Sequence, residues 1–122
     1  MKKPNSGQGV TPCGVQGQSP CVFCRIIAGE IPCKKVYEDE WAFAFLDNSP
    51  ICEGHTLVVP KKHYENLHDV PEDILGHVIA AVKRVASKYP VVRIVQNNGA
   101  PLQEVFHLHF HVLPGGGTWT KK

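Results

Sequence analysis

The sequence lacks any hydrophobic run near the ~20 residues that a membrane-spanning helix requires, so we expect no association with a membrane. It also lacks a strong charge of either sign, and a net charge of +2 is too small to favour a nucleic-acid-binding surface. No apolar stretch follows Met1-Lys2-Lys3, which argues against a signal peptide and for a cytoplasmic protein. The five cysteines are an odd number, which without a secretory signal favours free or metal-bound thiols over a disulfide framework.

The length of 122 residues, with 43% hydrophobic and 20% charged residues, is typical of one soluble globular domain. Residues 1–18 are rich in Gly, Gln, Pro and Ser and show no periodicity, which predicts a flexible leader. The domain itself is then expected to cover residues 19–122. Its core is modest in size, and a small sheet of this kind often gains stability from a partner chain.

Local patterns predict a short helix, a long helix and five strands. Ser19 can cap the first helix, with Pro20 at its first position and Gly29 at its end. The long helix begins near residues 69–71 and ends before Pro90. Its apolar face has a 3.6-residue period and consists of Ile74, Val78, Ala81, Val82, Val85 and Tyr89. Strand-like segments are residues 35–38, 41–46, 56–59, 91–96 and 106–113. This order predicts an α+β domain with a five-stranded antiparallel sheet.

Histidine alternates with apolar residues in the last of these segments. In a strand, successive side chains point to opposite faces, so His107, His109 and His111 are expected to share one face. The opposite face, which can pack on a core, consists of Phe106, Leu108, Phe110 and Val112. Three imidazoles in a row can attack an electrophile, bind a metal or hold phosphate. The functionally neutral interpretation is a set of exposed histidines on the wet face of a sheet.

His109 is the central member of this row and the best candidate for a nucleophile. Neutral imidazole is the main form near pH 7, and a carbonyl that accepts one ring N–H leaves the other nitrogen free to attack. Attack on phosphorus would form a labile phosphohistidine that water can hydrolyse. Phosphate could also be held by the preceding loop, through Asn97-Asn98-Gly99 and Gln103, while His55 could orient His109 or merely begin a strand.

Metal binding is the alternative use of these side chains. Two same-face imidazoles of a His-x-His strand can bind one ion, and Glu104 or Glu53 could complete a catalytic site. Cys21 and Cys24, in a Cys-x-x-Cys arrangement, form half of a zinc site, a redox pair or simply two packed thiols. If zinc is bound there, His63 and His107 are the best candidates for the remaining ligands, and the ion would be structural.

These motifs together resemble the histidine triad (HIT) superfamily, in particular its Hint-like branch and the bacterial HIT hydrolases. The family motif of three histidines separated by single apolar residues fits residues 107–113 throughout. Further segments that match in family order are residues 21–32, 36–40, 44–47, 54–63 and 97–99. The resemblance therefore extends from about residue 20 to residue 114.

The resemblance implies a HIT-like fold and a homodimer that binds a purine nucleotide. The reaction would cleave nucleoside monophosphate conjugates, such as phosphoramidates of AMP or GMP, at the α-phosphate and would require no metal. Of the implied catalytic histidines, His109 would accept the nucleotidyl group and His111 would contact the α-phosphate. His55 and His107 would complete the histidine cluster.

The resemblance also implies the contacts to the nucleotide and to a metal. Asn97 and Gln103 would hold the phosphate, and Asp47 would meet the ribose hydroxyls. The base pocket would be lined by Val22, Phe23, Ile26 and Phe45. In zinc-carrying bacterial relatives the ligand positions match Cys21, Cys24, His63 and His107, so a structural zinc ion is expected.

Two positions depart from the Hint pattern. Glu104 stands where many of these proteins have Ser or Thr, and a carboxylate there would repel phosphate instead of donating a hydrogen bond. Asn48 stands where an Ile often follows the ribose-binding Asp. Glu104 keeps open a second function, a non-catalytic nucleotide-binding scaffold, and Asn48 bears on the base preference. A metal-dependent hydrolase is a third possible function.

Overall fold

A computed structural model of the chain describes residues 21–115, so the predicted leader lies outside the described residues. The elements in chain order are α1 (Val22–Ile27), β1 (Lys35–Glu38), β2 (Ala42–Leu46), β3 (Thr56–Pro60), α2 (Glu72–Ala86), β4 (Val92–Val95) and β5 (Phe110–Pro114). Neither helix of the described region has the length and apolar character needed to span a lipid bilayer.

The five strands form one sheet in the order β1-β2-β3-β5-β4, and every neighbouring pair is antiparallel. This arrangement confirms the predicted α+β class, with one long and one short helix. The β1–β2 connection is closed by Asp39, whose carboxylate accepts hydrogen bonds from the backbone N–H groups of Trp41 and Ala42 at 2.7 and 2.8 Å. β4 is an edge strand, which leaves one side of its backbone without a strand partner among the described residues.

The sheet separates two apolar clusters, because alternate strand residues point to opposite faces. On one face, α2 buries one side of its helix, consisting of Val78, Ala81, Val82 and Val85, as its sequence period predicts. The strand residues packed with them include Ala42, Ala44, Val58, Phe110 and Val112, and Leu108, just before β5, joins them. On the other face, α1 packs through Phe23 and Ile26 on residues of the second and third strands, Phe43, Phe45, Leu57 and Val59.

The start of α1 differs from the prediction. Cys21, in extended backbone conformation with φ −62° and ψ 128°, is the N-cap residue, and no side-chain hydrogen bond within residues 21–115 caps the helix. The helix therefore begins at Val22, whereas Ser19 and Pro20, predicted as its cap and first residue, lie outside the described residues. Similarly, α2 ends at Ala86, which places Tyr89 beyond the helix whose apolar face it was expected to extend.

The histidine strand is shorter than predicted, because β5 begins at Phe110. The pairing with β3 ends at Phe110 and the pairing with β4 ends at His111, so neither neighbour offers backbone partners to residues 106–109. The N–H of Leu108 instead donates to the carbonyl of Tyr64 at 2.7 Å. The alternation of side chains still holds from His107 onward, with Leu108 and Phe110 on the α2 side. Phe106 is an exception, since 45% of it is exposed.

Candidate functional site

A cavity of about 300 Å³ lies on the α1 side of the sheet. Its volume is at the lower end of the range of ligand-binding pockets. Eight of the nine side chains predicted to contact a nucleotide line this cavity: Val22, Phe23, Ile26, Phe45, Asp47, Asn97, His109 and His111. The fold therefore brings together residues from α1, two strands and two loops that are up to 89 positions apart in the sequence.

Several lining residues were not singled out from the sequence: Pro32, Cys33, Ser49, Leu57, Leu102 and Val105. Leu57 shares the α1 face with Phe45 through the β2–β3 register, and strand alternation would have identified it. The others lie on loops, whose positions no local pattern encodes. Both departures from the family pattern, Asn48 and Glu104, also line the cavity.

His109 is held by a backbone acceptor. Its Nδ1 lies 2.7 Å from the carbonyl oxygen of His107, and only a protonated nitrogen can donate to that oxygen. The neutral ring therefore carries its proton on Nδ1 and its lone pair on Nε2. The ring of Phe23 contacts His109 edge to face, with 5.1 Å between the centroids, and only 7% of His109 is exposed. A buried imidazole with one fixed tautomer is suited to nucleophilic attack.

His55 and His111 form a directed hydrogen-bond chain. The backbone N–H of Ile51 donates to His55 Nδ1 at 3.1 Å, so the proton of the neutral His55 ring is on Nε2. That Nε2–H donates to His111 Nδ1 at 3.0 Å, and Asp47 Oδ2 lies 3.5 Å from the same nitrogen. The neutral His111 ring therefore carries its proton on Nε2, which makes this residue a hydrogen-bond donor in the cavity wall.

The structure does not bring Gln103 to the cavity. Its side chain is buried, and its Oε1 accepts a hydrogen bond from the N–H of Gly99 at 2.8 Å. Its Nε2 donates to the carbonyls of Glu65 and Val105 at 2.6 and 2.9 Å. The side-chain amide is thus used on backbone groups, which means that Gln103 shapes the loop after Asn97 rather than reaching a phosphate.

His107 lies in a second group of side chains, with Cys21, Cys24 and His63. The ligand atoms of these four residues all lie within 4.8 Å of one another. His107 Nδ1 is 3.3 Å from Cys21 Sγ, 3.4 Å from Cys24 Sγ and 3.2 Å from His63 Nδ1, and Cys24 Sγ is 3.5 Å from His63 Nδ1. We call this group the Cys2His2 cluster. The structure therefore separates His107 from His109 and His111, and places it outside the cavity lining.

The geometry of the Cys2His2 cluster fits a tetrahedral zinc ion. Zinc–sulfur and zinc–nitrogen bonds of typical length put two nitrogens about 3.3 Å apart and a nitrogen and a sulfur about 3.6 Å apart. His107 Nε2–H donates to the carbonyl of Pro60 at 2.9 Å, which leaves Nδ1 as the ligand atom. Burial lowers the pKa of His107 to about 3 and also lowers the pKa of His63, which keeps both rings neutral at pH 7.

Whether this cluster can bind a metal depends on the protonation and oxidation state of its two sulfur atoms. Burial raises the pKa of the Cys21 thiol, so a cation is needed to stabilise its thiolate. Cys24 is disulfide-bonded, whereas Cys21, Cys33 and Cys52 are free. Metal binding requires both cluster sulfurs as thiolates, and the disulfide and the metal-bound form are therefore mutually exclusive states of Cys24.

The catalytic metal site considered from the sequence does not form within the described residues. His107 and His109 lie in different sites, and Glu53 belongs to neither possible ligand group of this region. The second group, Asp47, His55 and His111, is close enough to hold an ion. However, the proton on His55 Nε2 already lies between these three side chains, and an N–H offers no lone pair to a metal.

Comparisons with known proteins agree with this arrangement. The HIT domain family model matches residues 28–118. An uncharacterized HIT-like protein of Methanocaldococcus jannaschii is 51% identical over 100 residues, covering 77% of this chain and 78% of its own. Adenosine 5'-monophosphoramidase HNT1 of Saccharomyces cerevisiae is 44% identical over 97 residues, covering 77% of this chain and 61% of its own.

A solved structure shows the same similarity in three dimensions. The histidine triad protein of Clostridium difficile is 41% identical and superimposes with a TM-score of 0.74, covering 84% of this chain and 96% of its own. Sequence motif, sheet topology and family model thus agree over most of the chain, which belongs to the HIT domain family.

Proposed function

We propose that this HIT-family protein is a nucleotide hydrolase or transferase that cleaves nucleoside monophosphate conjugates at the α-phosphate. The substrates would be purine nucleoside phosphoramidates or related conjugates of AMP or GMP. The observation that carries the proposal is the 2.7 Å contact between His109 Nδ1 and the His107 carbonyl in the wall of a ligand-sized cavity. It supports His109 Nε2 as the nucleophile, because this tautomer leaves the lone pair on Nε2.

The proposed reaction has two displacements at phosphorus. In the first, His109 Nε2 bonds to the α-phosphorus, the bond from phosphorus to the leaving nitrogen breaks, and the leaving amine takes up a proton. In the second, water attacks the nucleotidyl-His109 intermediate, the phosphorus–Nε2 bond breaks, and the nucleoside monophosphate and neutral His109 are released. His111 Nε2–H would donate to a phosphate oxygen, and its Nδ1 is held in place by His55.

The rest of the cavity suits a nucleoside. Phe23 and Phe45 contact each other at 5.5 Å between centroids and, with Ile26, offer an apolar wall to a flat base. Asp47 is available for the ribose hydroxyls, since it also lines the cavity. The adenosine-containing substrate class in the name of the yeast relative supports a purine nucleotide for this chain as well.

Adenosine 5′-phosphoramidate tests the proposal directly. The wild-type protein should release AMP, and His109→Ala should lose turnover while it still binds AMP, because the attacking imidazole is removed and the other residues of the cavity wall are kept. His68→Ala, a histidine exposed outside the cavity, is the matched control and should keep full activity. Mass spectrometry of protein denatured during turnover should find one nucleotidyl adduct on His109. Full activity of His109→Ala would remove this residue as nucleophile.

A non-catalytic nucleotide-binding protein is the second candidate, and Glu104 in the cavity wall is the observation that favours it. A carboxylate beside a phosphate disfavours the build-up of negative charge during displacement. AMP binding without release of AMP from any phosphoramidate would support this function. A metal-dependent hydrolase would instead lose activity on chelation before the fold is lost.

We also propose a structural zinc ion in the Cys2His2 cluster, which would join α1 to the sheet when bound. The sulfur and nitrogen donors and their spacing support it. Elemental analysis of protein purified under reducing conditions without chelator should find about one zinc per chain. A Cys21→Ser, Cys24→Ser variant should lose it, and a zinc-free wild-type protein would contradict the proposal.

A homodimer is a further part of the proposal, and a cytoplasmic location stays a prediction. The edge strand β4 supports dimerisation, because it exposes backbone groups together with Val91 and Ile94, which are 60% and 42% exposed. Ile94→Lys should shift the sedimentation coefficient towards a monomer. An unchanged dimer in this variant would exclude β4 as the interface, and a monomeric wild-type protein would refute dimerisation.

A further inference from the structure

Helix α1 contributes to two sites at once. Cys21 and Cys24, one turn apart, hold the helix to the Cys2His2 cluster. The residues between and after them, Val22, Phe23 and Ile26, form a wall of the cavity. The position of this wall therefore depends on the contacts of the two sulfurs.

Little else within the described residues holds this helix. It has six residues and no side-chain cap, and a helix of this length is not stable on its own. Apart from the sulfurs of Cys21 and of the disulfide-bonded Cys24, it packs on the sheet through Phe23 and Ile26, with Ile27 partly buried against the same cluster, while Val22 is 41% exposed. Bonds from both sulfurs to a metal shared with His63 and His107 would be the strongest constraint on its position.

His107 makes a second connection between the two sites. Its side chain belongs to the Cys2His2 cluster, and its carbonyl accepts the Nδ1–H of His109 in the cavity wall. The ring of Phe23 also contacts both histidines, at 5.9 Å from His107 and 5.1 Å from His109 between centroids. A shift of His107 would thus move the carbonyl that fixes the His109 tautomer and would also disturb Phe23 in the cavity wall.

We propose that metal binding at the Cys2His2 cluster and nucleotide binding in the cavity are thermodynamically linked, each raising the affinity for the other. The inference rests on the proposed function, because it takes the cavity to be the nucleotide site. A nucleotide that binds the metal-free protein has to order α1 and His107 at the cost of its own binding energy. In the metal-bound protein that order already exists, and since linkage is reciprocal, the nucleotide must strengthen metal binding by the same factor.

The affinity for AMP is measured by calorimetry on reduced, zinc-loaded protein and on protein from which zinc has been removed by a chelator. We expect binding to be weaker by about fivefold or more in the metal-free protein, the lower end of typical coupling between sites. In the reverse experiment, a chromogenic chelator competes for zinc with and without saturating AMP, with a protein-free blank to correct for zinc bound by AMP. The affinity for zinc should rise by the same factor.

Two cysteine variants locate the effect. Cys24→Ser removes one cluster ligand and should weaken AMP binding as much as zinc removal does. Cys52→Ser removes a thiol outside both the cluster and the cavity lining and should leave both affinities unchanged. If Cys24→Ser or the metal-free protein fails to fold, the zinc competition on the folded wild-type protein decides, since it reports the same linkage.

The outcomes separate this inference from the proposed function. Equal affinity for AMP with and without zinc, or an affinity for zinc that AMP does not change, overturns the linkage but leaves the nucleotide site intact. A folded protein that binds no AMP in either form overturns the proposed function and the linkage together. A reduced protein that binds no zinc overturns the linkage and the proposed structural zinc ion, but leaves the proposed nucleotide site intact.

Discussion

Gln103→Leu is the substitution that most sharply separates the structure from the sequence-based interpretation. Gln103 was expected to hold phosphate, whereas in the structure its side-chain amide hydrogen-bonds to three backbone groups, those of Gly99, Glu65 and Val105. Leucine is similar in size but makes none of these hydrogen bonds. The structure therefore predicts a loss of stability, and the sequence-based interpretation predicts a loss of phosphate binding.

The size of the effect follows from the burial of these partners. Each buried backbone group that loses its partner costs about 1–3 kcal/mol, so three groups set an upper limit of about 9 kcal/mol. Glu65 is exposed, and water can replace the amide at its carbonyl. Burial of the apolar leucine side chain stabilises the folded variant by about 2 kcal/mol, which offsets part of this loss. We therefore expect the free energy of unfolding to fall by about 2–5 kcal/mol, a large part of the ~5–15 kcal/mol of a typical domain.

Urea unfolding followed by circular dichroism measures this loss as a lower midpoint at an unchanged slope. Gln96→Leu is the matched control, because within the described part of the chain the Gln96 amide hydrogen-bonds only to its neighbours Asn97 and Asn98, and Gln96 is half-buried. Its cost should stay below about 1 kcal/mol, since water reaches the groups it leaves. An unchanged midpoint for Gln103→Leu, combined with a large loss of affinity for AMP, would refute the reasoning.

Three further predictions follow from other parts of the fold. In metal-free protein, the pKa of about 3 at the buried His107 lies below the value near 6.5 of an unfolded histidine. Between pH 6.5 and pH 3 the unfolded chain therefore binds a proton that the folded protein does not. The free energy of unfolding should fall by about 2 kcal/mol from pH 7 to pH 5. Glu104→Gln should tighten AMP binding about threefold at low salt, because it removes a negative charge from the cavity wall. Gly54→Ala should cost about 1–3 kcal/mol in urea unfolding, since Gly54 has φ +84° and a Cβ would lie 3.1 Å from Pro114 Cγ.

Each of these predictions has a control elsewhere in the chain. His107→Asn should flatten the pH dependence of unfolding, and His68→Gln, at an exposed position, should retain it; equal slopes would contradict the role of His107. Glu40→Gln, which lies outside the cavity lining, should not change AMP affinity, and a similar gain there would indicate a general charge effect. Gly76→Ala, in the interior of α2 with open space around its Cβ position, should stabilise the protein instead. A stable Gly54→Ala would show that this turn tolerates a side chain.

The elements of the fold were largely predictable because their signals are local. The 3.6-residue period of α2 and the nearly continuous apolar runs of β2 and β3 identify the core residues without any knowledge of the partner elements. The boundaries were less predictable. β5 begins at Phe110 because its neighbours β3 and β4 offer no partners before that residue, which is a property of the sheet and not of the segment.

The sequence by itself determined which residue types were available: three histidines in alternation, two cysteines one helical turn apart, and an apolar set for a base pocket. Only the tertiary structure decided which of these residues lie in the Cys2His2 cluster and which line the cavity. It placed His107 in the cluster with Cys21 and Cys24, whereas His109 and His111 line the cavity. The Gln103 amide hydrogen-bonds to backbone groups instead. The reason is physical, because period and alternation act over a few neighbouring residues, whereas hydrogen-bond partners and ligand sets depend on packing between segments far apart in the chain.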